Sequence, residues 1–383
     1  MQKSLPRIEI SLSKIQENAR ILCALYGQRG IGLMGVTKAV LGEPAIAEAM
    51  ILGGVRYIAD SRIENIIKMK AADKFSTQFV LLRSPPSHAE IIIKHADISL
   101  NSEMETIREL SLFAKGNDKS HKVIIMVELG DLREGILPAD LSQFVKETLS
   151  LPHIYIIGIG CNLACHGGIK PGNKNMEKLS DLAGSLEKEF HIKLEIISGG
   201  NSANYDWFKS TKSMGRINNL RIGESILLGR ETIGRKQIPG LHTGAFKLVT
   251  EVIESKKKPS LPFGDNGQDA FGDNPSFSDR GIRERTIVAL GKQDVHMQGL
   301  TPESPLTILG ASSDHTIIDN ENHNFKVGDE VSFGLKYSGL LSAMTSPFIN
   351  KRFVKDCDQE PVHSSPALPA RARLNTNAET ELK

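Results

Sequence analysis

Gly30-Ile31-Gly32-Leu33-Met34-Gly35-Val36-Thr37-Lys38-Ala39-Val40-Leu41-Gly42 is the stretch that decides how the chain is read. An apolar run opens after Gly30 and ends in a lysine, a small residue and a glycine. Glu43-Pro44 then starts a helix, with proline at a tolerated first position and Gly53-Gly54 as its stop. Lys38 is thereby expected at the carboxyl end of a buried strand, where α/β barrels place their chemistry. Partial desolvation there lowers the pKa of an amine and frees it for Schiff-base formation. Taken alone, the stretch fits a solvent-facing lysine better.

Working outward, Arg7-Ile8-Glu9-Ile10-Ser11-Leu12 alternates like a half-buried strand, and Ser13 is the expected cap of a helix with Ile15, Ala19, Leu22 and Leu25 on one face. Downstream, strands are expected at 57–60, 78–82, 97–100, 123–128, 154–160, 194–198 and 218–221. Helical stretches lie between them, among them 62–70, 103–115, 138–149 and 175–189. With the strand ending at Lys38 these make eight strand–helix units, which imply a parallel sheet closing into a (β/α)8 barrel. From about Gly240 the rhythm changes to strands separated by turns, such as Phe246–Glu254, Thr286–Leu290, Leu306–Leu309, Thr316–Asp319 and Glu330–Phe333. The expected organisation is an α/β fold, a TIM-type barrel over 7–238 with a C-terminal all-β domain over 239–355, and a disordered tail over 356–383. Whether strand 7–12 belongs to the barrel or to the β domain stays open.

Composition narrows the class. In 383 residues the formal net charge is +2, which gives no reason to expect a nucleic acid or anionic membrane partner. Cys23, Cys161, Cys165 and Cys357 form no CxxC pair, and a reducing compartment suits them. No signal-peptide core and no membrane-length apolar stretch is present, so a cytoplasmic protein is expected.

Several separate motifs carry a resemblance. Arg7-Ile8-Glu9-Ile10 with Asn18-Ala19, Gly35-Val36-Thr37-Lys38-Ala39-Val40, Gly53-Gly54-Val55 and Ile58-Ala59-Asp60-Ser61-Arg62 resemble the ornithine racemase branch of the alanine racemase family. These are fold-type III enzymes that use pyridoxal 5'-phosphate, and the resemblance spans residues 7 to about 354. It implies that Lys38 is the Schiff-base lysine and the base on one face of Cα. Asn219-Leu220-Arg221-Ile222-Gly223-Glu224-Ser225 resembles the segment whose arginine faces the pyridine nitrogen, so Arg221, Gly223 and Glu224 are implied cofactor contacts.

Ile197-Ser198-Gly199-Gly200-Asn201-Ser202 is a glycine-containing loop able to cradle a phosphate, and its place one strand before Arg221 resembles the family's phosphate loop, which implies Ser198 or Ser202 as ligand. Two tyrosines that contact phosphate in alanine racemases are missing; Gly42 and Phe353 stand instead. Asn162 occupies the place of a family histidine that contacts the ring-facing arginine. Arg133, in Leu129-Gly130-Asp131-Leu132-Arg133-Glu134-Gly135, resembles the residue that supports the substrate carboxylate. Cys165-His166 alone lacks the ligands of a metal site, and no metal is expected.

Racemisation needs a second acid/base opposite the lysine. The family's tyrosine lies in a Gly-Tyr-Ala-Asp turn; here the turn reads Gly291-Lys292-Gln293-Asp294, which makes Lys292 the positional candidate and Asp294, His315 and Tyr337 the reserves. Ser313 and Asp314 resemble the loop that meets substrate in a neighbouring subunit's site, so the resemblance implies a head-to-tail homodimer with shared sites. The substrate it implies is ornithine or another basic amino acid, with Asp269 or Glu224 receiving the distal ammonium. Two rival readings are a cofactor-binding homeostasis protein, whose kind resembles residues 7–235 but lacks a second domain, and an aldolase or decarboxylase of the same architecture, whose metal-dependent members need a His/Cys pair in the β domain.

Overall fold

A computed structural model describes residues 5–73, 76–265, 267–321 and 323–355; the tail expected over 356–383 lies outside the described residues. The first strand, β1 (Arg7–Ser11), passes directly into α1 (Leu12–Gly27). Ser11, rather than the expected Ser13, caps that helix, its hydroxyl accepting from the Lys14 N–H at 3.3 Å. With no loop between strand and helix, the last strand residue takes the extended cap conformation and Ser13 falls inside the first turn.

Eight parallel strands then close in chain order into a barrel: β2 (Gly32–Val36), β3 (Tyr57–Asp60), β4 (Gln78–Leu81), β5 (Ile98–Asn101), β6 (His121–Met126), β7 (Ile154–Gly160), β8 (Ile196–Ser198) and β9 (Asn219–Ile222). Between them run α2 (Pro44–Leu52), α3 (Ile63–Ala71), α4 (Ala89–His95), α5 (Met104–Gly116), α6 (Leu141–Leu149), α7 (Asn173–Phe190) and α8 (Tyr205–Ser210), and α9 (Glu224–Leu228) follows the last strand. Along each strand, side chains alternate between lumen and helix layer. Met34 and Val36, Ile98 and Leu100, and Ile124 and Met126 fill the lumen together with Ala59, Val80, Ile157 and Ile196. A lumen this full is a packed core, and cutting Ile124 to Ala would cost roughly 2–5 kcal/mol. Its packing also confines any ligand to the mouth, where the residues after the strands lie.

The remaining strands are β10 (Phe246–Pro259), β11 (Ile282–Val288), β12 (Leu300–Pro302), β13 (Thr307–Ala311), β14 (Thr316–Asp319), β15 (Glu330–Leu335) and β16 (Asn350–Val354). They form a sheet in the order β12-β15-β10-β11-β14-β13, and β1 pairs with both β10 and β16. This is the expected β domain, and one helix, α10 (Tyr337–Thr345), is added to its sheet. Gly339 inside the run Tyr337-Ser338-Gly339-Leu340-Leu341 argues against a helix on propensity. Tertiary contact overrides it, because Gly339 meets Gly299 backbone to backbone; a Cβ on Gly339 would come within 2.5 Å of the Gly299 carbonyl oxygen. Only glycine at both places lets α10 approach the 3-10 turn Met297–Gly299 so closely, and α10 then packs on the turn that holds Lys38.

Candidate active site

Lys38 sits one residue beyond Thr37, in a 3-10 turn (Lys38–Val40) that follows β2. The turn is tied to the neighbouring strand: the Thr37 hydroxyl donates to Asp60 Oδ2 at 2.7 Å, while Asp60 Oδ1 accepts from the Arg62 N–H and from Asn65 Nδ2, each at 2.9 Å. Burial pushes the Asp60 carboxyl up against the opposing pull of these donors. The Lys38 side chain is exposed and opens on a cavity of about 750 Å³ at the barrel mouth. The expected partial burial of this amine is therefore absent, since the turn carries it out of the strand and into the cavity.

Across the mouth, Arg221 projects from β9 with 5% of its surface exposed. It has no carboxylate partner among the described residues. Its Nη1 donates to Ser198 Oγ at 2.5 Å and its Nη2 to the Cys161 carbonyl at 2.7 Å and to Asn162 Oδ1 at 3.4 Å. Burial pulls its pKa below the usual arginine value. Ser198 in turn donates to Asn219 Oδ1 at 2.7 Å and is fully buried, so it supports Arg221 from beneath and does not line the cavity. Ser202 does line it. Its oxygen accepts from the Ser225 N–H at 3.2 Å, which leaves the hydroxyl hydrogen available to a cavity ligand.

Asn162 lines the cavity with its orientation fixed: Oδ1 accepts from Asn201 Nδ2 at 2.9 Å as well as from Arg221. Its Nδ2 is then buried with no acceptor among the described residues. A donor held that rigidly without a partner marks a place for an acceptor atom of a ligand. Sequence reasoning missed Asn201, although it stands in the quoted Ser198–Ser202 loop.

Gly223, Glu224, Arg133 and Tyr337 line the same cavity. Glu224 is ion-paired with Arg235, yet burial pushes its carboxyl above the usual range. Arg133 is held bidentately by Glu134. Its loop is organised by Asp131, another residue the sequence reading left without a role. The Asp131 carboxylate takes the backbone N–H groups of Cys165, His166 and Ile169 at 3.1, 2.9 and 3.4 Å. Burial acts to raise the Asp131 pKa, but those donors outweigh it and hold the group below its usual value. Tyr337 enters from α10, and burial, with Glu224 adding to it, pushes its phenol up to about 12.

The remaining expected site residues lie elsewhere. Lys292 is exposed in the turn after β11, with Nζ 3.3 Å from the centroid of the Phe271 ring. Ser313 and Asp314 are exposed in the loop between β13 and β14. The two loops pack on each other: the Lys292 and Gln293 N–H groups donate to the Ser312 and Ser313 carbonyls, both at 2.9 Å. Asp294 is buried and closes its own turn by accepting from the Gly291 N–H, and His315 pairs with Asp314. Asp269 caps an exposed turn, accepting from the Phe271 N–H at 2.8 Å. None of these lines the cavity of its own chain, nor do Gly42 and Phe353. A smaller cavity of about 360 Å³ opens at the amino ends of the strands, by Gly32, Arg56 and Asn218, and holds none of the expected groups.

The mouth thus combines an exposed primary amine, a buried arginine that can only donate, an orphaned amide donor, a serine hydroxyl with its hydrogen available and a half-buried phenol. Donors dominate, so the arrangement suits a ligand rich in acceptor oxygens and nitrogens that also offers a carbonyl carbon to an amine. Among the described residues no helix is long and apolar enough to cross a membrane.

Comparison with known proteins adds to this geometry. The family described as "Alanine racemase, N-terminal domain" matches residues 10–230. The chain is 43% identical over 354 residues to an ornithine racemase from Acetoanaerobium sticklandii, covering 91% of this chain and 99% of that protein. It is 40% identical over 350 residues to a lysine racemase from Thermotoga maritima, covering 90% and 98%. In structure it resembles alanine racemase from Bartonella henselae with covalently bound pyridoxal phosphate. That similarity has a TM-score of 0.70 at 18% identity and covers 91% of this chain and 99% of that one.

Proposed function

Because this chain belongs to the alanine racemase family, we propose that it is an amino acid racemase that interconverts the L and D forms of a basic amino acid, ornithine or lysine, with pyridoxal 5'-phosphate as cofactor. The observation that carries the reading is the convergence of Lys38, Arg221 and Asn162 on one cavity of a chain that aligns almost end to end with ornithine and lysine racemases.

The residues present fit the cofactor. Lys38 offers the amine, Ser202 a hydroxyl hydrogen for a phosphate oxygen, and Asn162 Nδ2 an unmet donor. Arg221 has only donors and no carboxylate partner among the described residues, so it suits a ring nitrogen that carries no proton. When bound, pyridoxal phosphate draws electrons from Cα of an amino acid joined to it and acidifies the Cα proton. Lys38 then takes that proton on its own face, and Arg133 receives the substrate carboxylate in its guanidinium fork, exchanging Glu134 for it.

A second group must return a proton to the opposite face. We assign it to Lys292 of a second copy, whose paired loops at 291–294 and 312–315 would close the mouth and bring Ser313 and Asp314 to the substrate. The exposure of Lys292 away from its own chain's cavity supports a shared site and hence a homodimer. Tyr337 is the alternative, favoured by one observation: it lines the cavity in the same chain as Lys38. The homeostasis-protein reading has less support because the relatives align through the β domain as well as the barrel, and the aldolase or decarboxylase reading because the relatives at 43% and 40% identity are racemases.

The test is chiral analysis of purified protein incubated with pyridoxal phosphate and each L-amino acid in turn. D-ornithine or D-lysine should accumulate to equal parts with the L form. Turnover of only small apolar amino acids would refute the substrate class, and no D product from any amino acid would refute the activity.

A further inference from the structure

The mouth of the barrel contains a second orphan, opposite in sign to the first. Asn101 ends β5, is 4% exposed and lines the cavity. Its Nδ2 donates to the Ser99 carbonyl at 3.1 Å and to Ser99 Oγ at 2.9 Å. A carbonyl only accepts, so the amide cannot be flipped without setting two acceptors against each other. Its Oδ1 is therefore committed to the other side, buried and with no donor among the described residues.

Ser99 is locked in its turn by His121, whose Nε2 lies 2.8 Å from the hydroxyl. Two residues beyond Asn101, Glu103 also lines the cavity. It stands at the cap position of α5 without making the cap hydrogen bond. Among the described residues that line the cavity, Glu134 and Glu224 are ion-paired to arginines, whereas Glu103 has no ion-pair partner.

A buried acceptor and a carboxylate without an ion-pair partner, two residues apart and lining the same cavity, suit a cationic donor. The cofactor does not supply one, since its phosphate and phenolate oxygens accept. We propose that Asn101 and Glu103 form the subsite that reads the distal ammonium of the substrate, a proposal that rests on the chain being a racemase of basic amino acids. In it Asn101 Oδ1 takes a hydrogen bond from the ammonium and Glu103 balances its charge. The strand order places this pair well: β5 is three strands from β2 around the barrel, roughly 14 Å at the usual strand spacing. The Lys38 side chain and an extended basic amino acid together bridge that span. The subsite replaces Asp269, which does not line the cavity of its own chain and is committed to its own turn, and Glu224, which Arg235 already occupies.

The experiment compares L-ornithine and L-lysine with L-norvaline and L-norleucine, the same skeletons without the amine, in the holoenzyme and its Asn101→Ala and Glu103→Gln variants. Glu103 is exposed, so its variant tests the idea without endangering the fold. The unmutated enzyme should favour the basic substrates in kcat/KM. Each variant should raise KM for them roughly tenfold with kcat little changed, the loss of one charge-assisted hydrogen bond, and leave the norvaline and norleucine constants as they were. Calorimetry with 1,4-diaminobutane, which carries ammonium and no carboxylate, should show binding weakened in both variants. Equal losses on basic and apolar substrates, or no loss with Glu103→Gln, would overturn the subsite, the first result meaning that Asn101 holds only structure or water. An unmutated enzyme inactive on every basic amino acid would instead overturn the parent reading, and the subsite with it.

Discussion

Thr37 and Asp60 are joined by a 2.7 Å hydrogen bond between the ends of β2 and β3, one residue before Lys38. The bond fixes where the strand gives way to the turn, and so where the amine enters the cavity. Thr37→Val keeps the shape and removes the donor from a buried carboxyl. It should cost about 1–3 kcal/mol of stability. In kinetics kcat should fall more than KM changes, because the amine is displaced while the substrate's other contacts remain. A melting curve and a steady-state assay check both.

Arg221 is predicted to control the reaction outcome as well as its rate. Arg221→Glu places a carboxylate where only donors stood. Racemisation should fall by at least about tenfold, the loss of a positioned electrostatic contact. A ring nitrogen facing a carboxylate gains a proton, so half-transamination, scored as keto acid released per turnover, should become measurable. An unchanged rate and product ratio would mean that Arg221 does not face the ring.

The origin of the second proton-transfer group is open to a complementation test. Lys38→Ala and Lys292→Ala proteins, each inactive, should regain activity when mixed under conditions that exchange subunits, since one hybrid site is then intact. A silent mixture with subunit exchange demonstrated, together with an inactive Tyr337→Phe protein, would move the role to the phenol of the same chain.

His121 carries an acid sensitivity of the fold. Burial pulls its imidazole down to about 4, and it is 2% exposed beside Ser99. In the unfolded chain the group titrates near its ordinary value of 6.5. The unfolded state therefore binds the extra proton between these values. The contribution is fully present above pH 6.5 and is lost as pH falls toward 4. Integrated, this is about 3 kcal/mol, and His121→Gln should remove much of it. Urea midpoints at neutral and mildly acid pH should fall less steeply in the variant than in the unmutated protein.

Much of this was legible in sequence because the signals were local. The barrel follows from alternating strands and helices; Lys38 and Asn162 each come just after a strand and Arg221 near the end of one, all within short recognisable motifs. Long-range contacts were not legible. Sequence could not tell which of Ser198 and Ser202 faces the cavity, since only the fold shows that Arg221 lies on one and the cavity opens at the other. Helix α10 was hidden because Gly339 opposes helix locally and is required by Gly299 from forty residues away. Asn101 looked like an ordinary strand end until its amide was seen to be locked by Ser99. Lys292 rests on alignment with a family turn, and a single chain cannot bring it to Lys38.

The central claim is that the cavity around Lys38 exchanges the Cα proton of a basic amino acid, and racemisation in D2O measures that directly. Incubated with pyridoxal phosphate and L-ornithine or L-lysine, the unmutated protein should yield D product carrying deuterium at Cα. Lys38→Ala, folded to the same melting temperature, should yield neither exchange nor inversion. Deuterium entering Cα at an undiminished rate in Lys38→Ala would contradict the account.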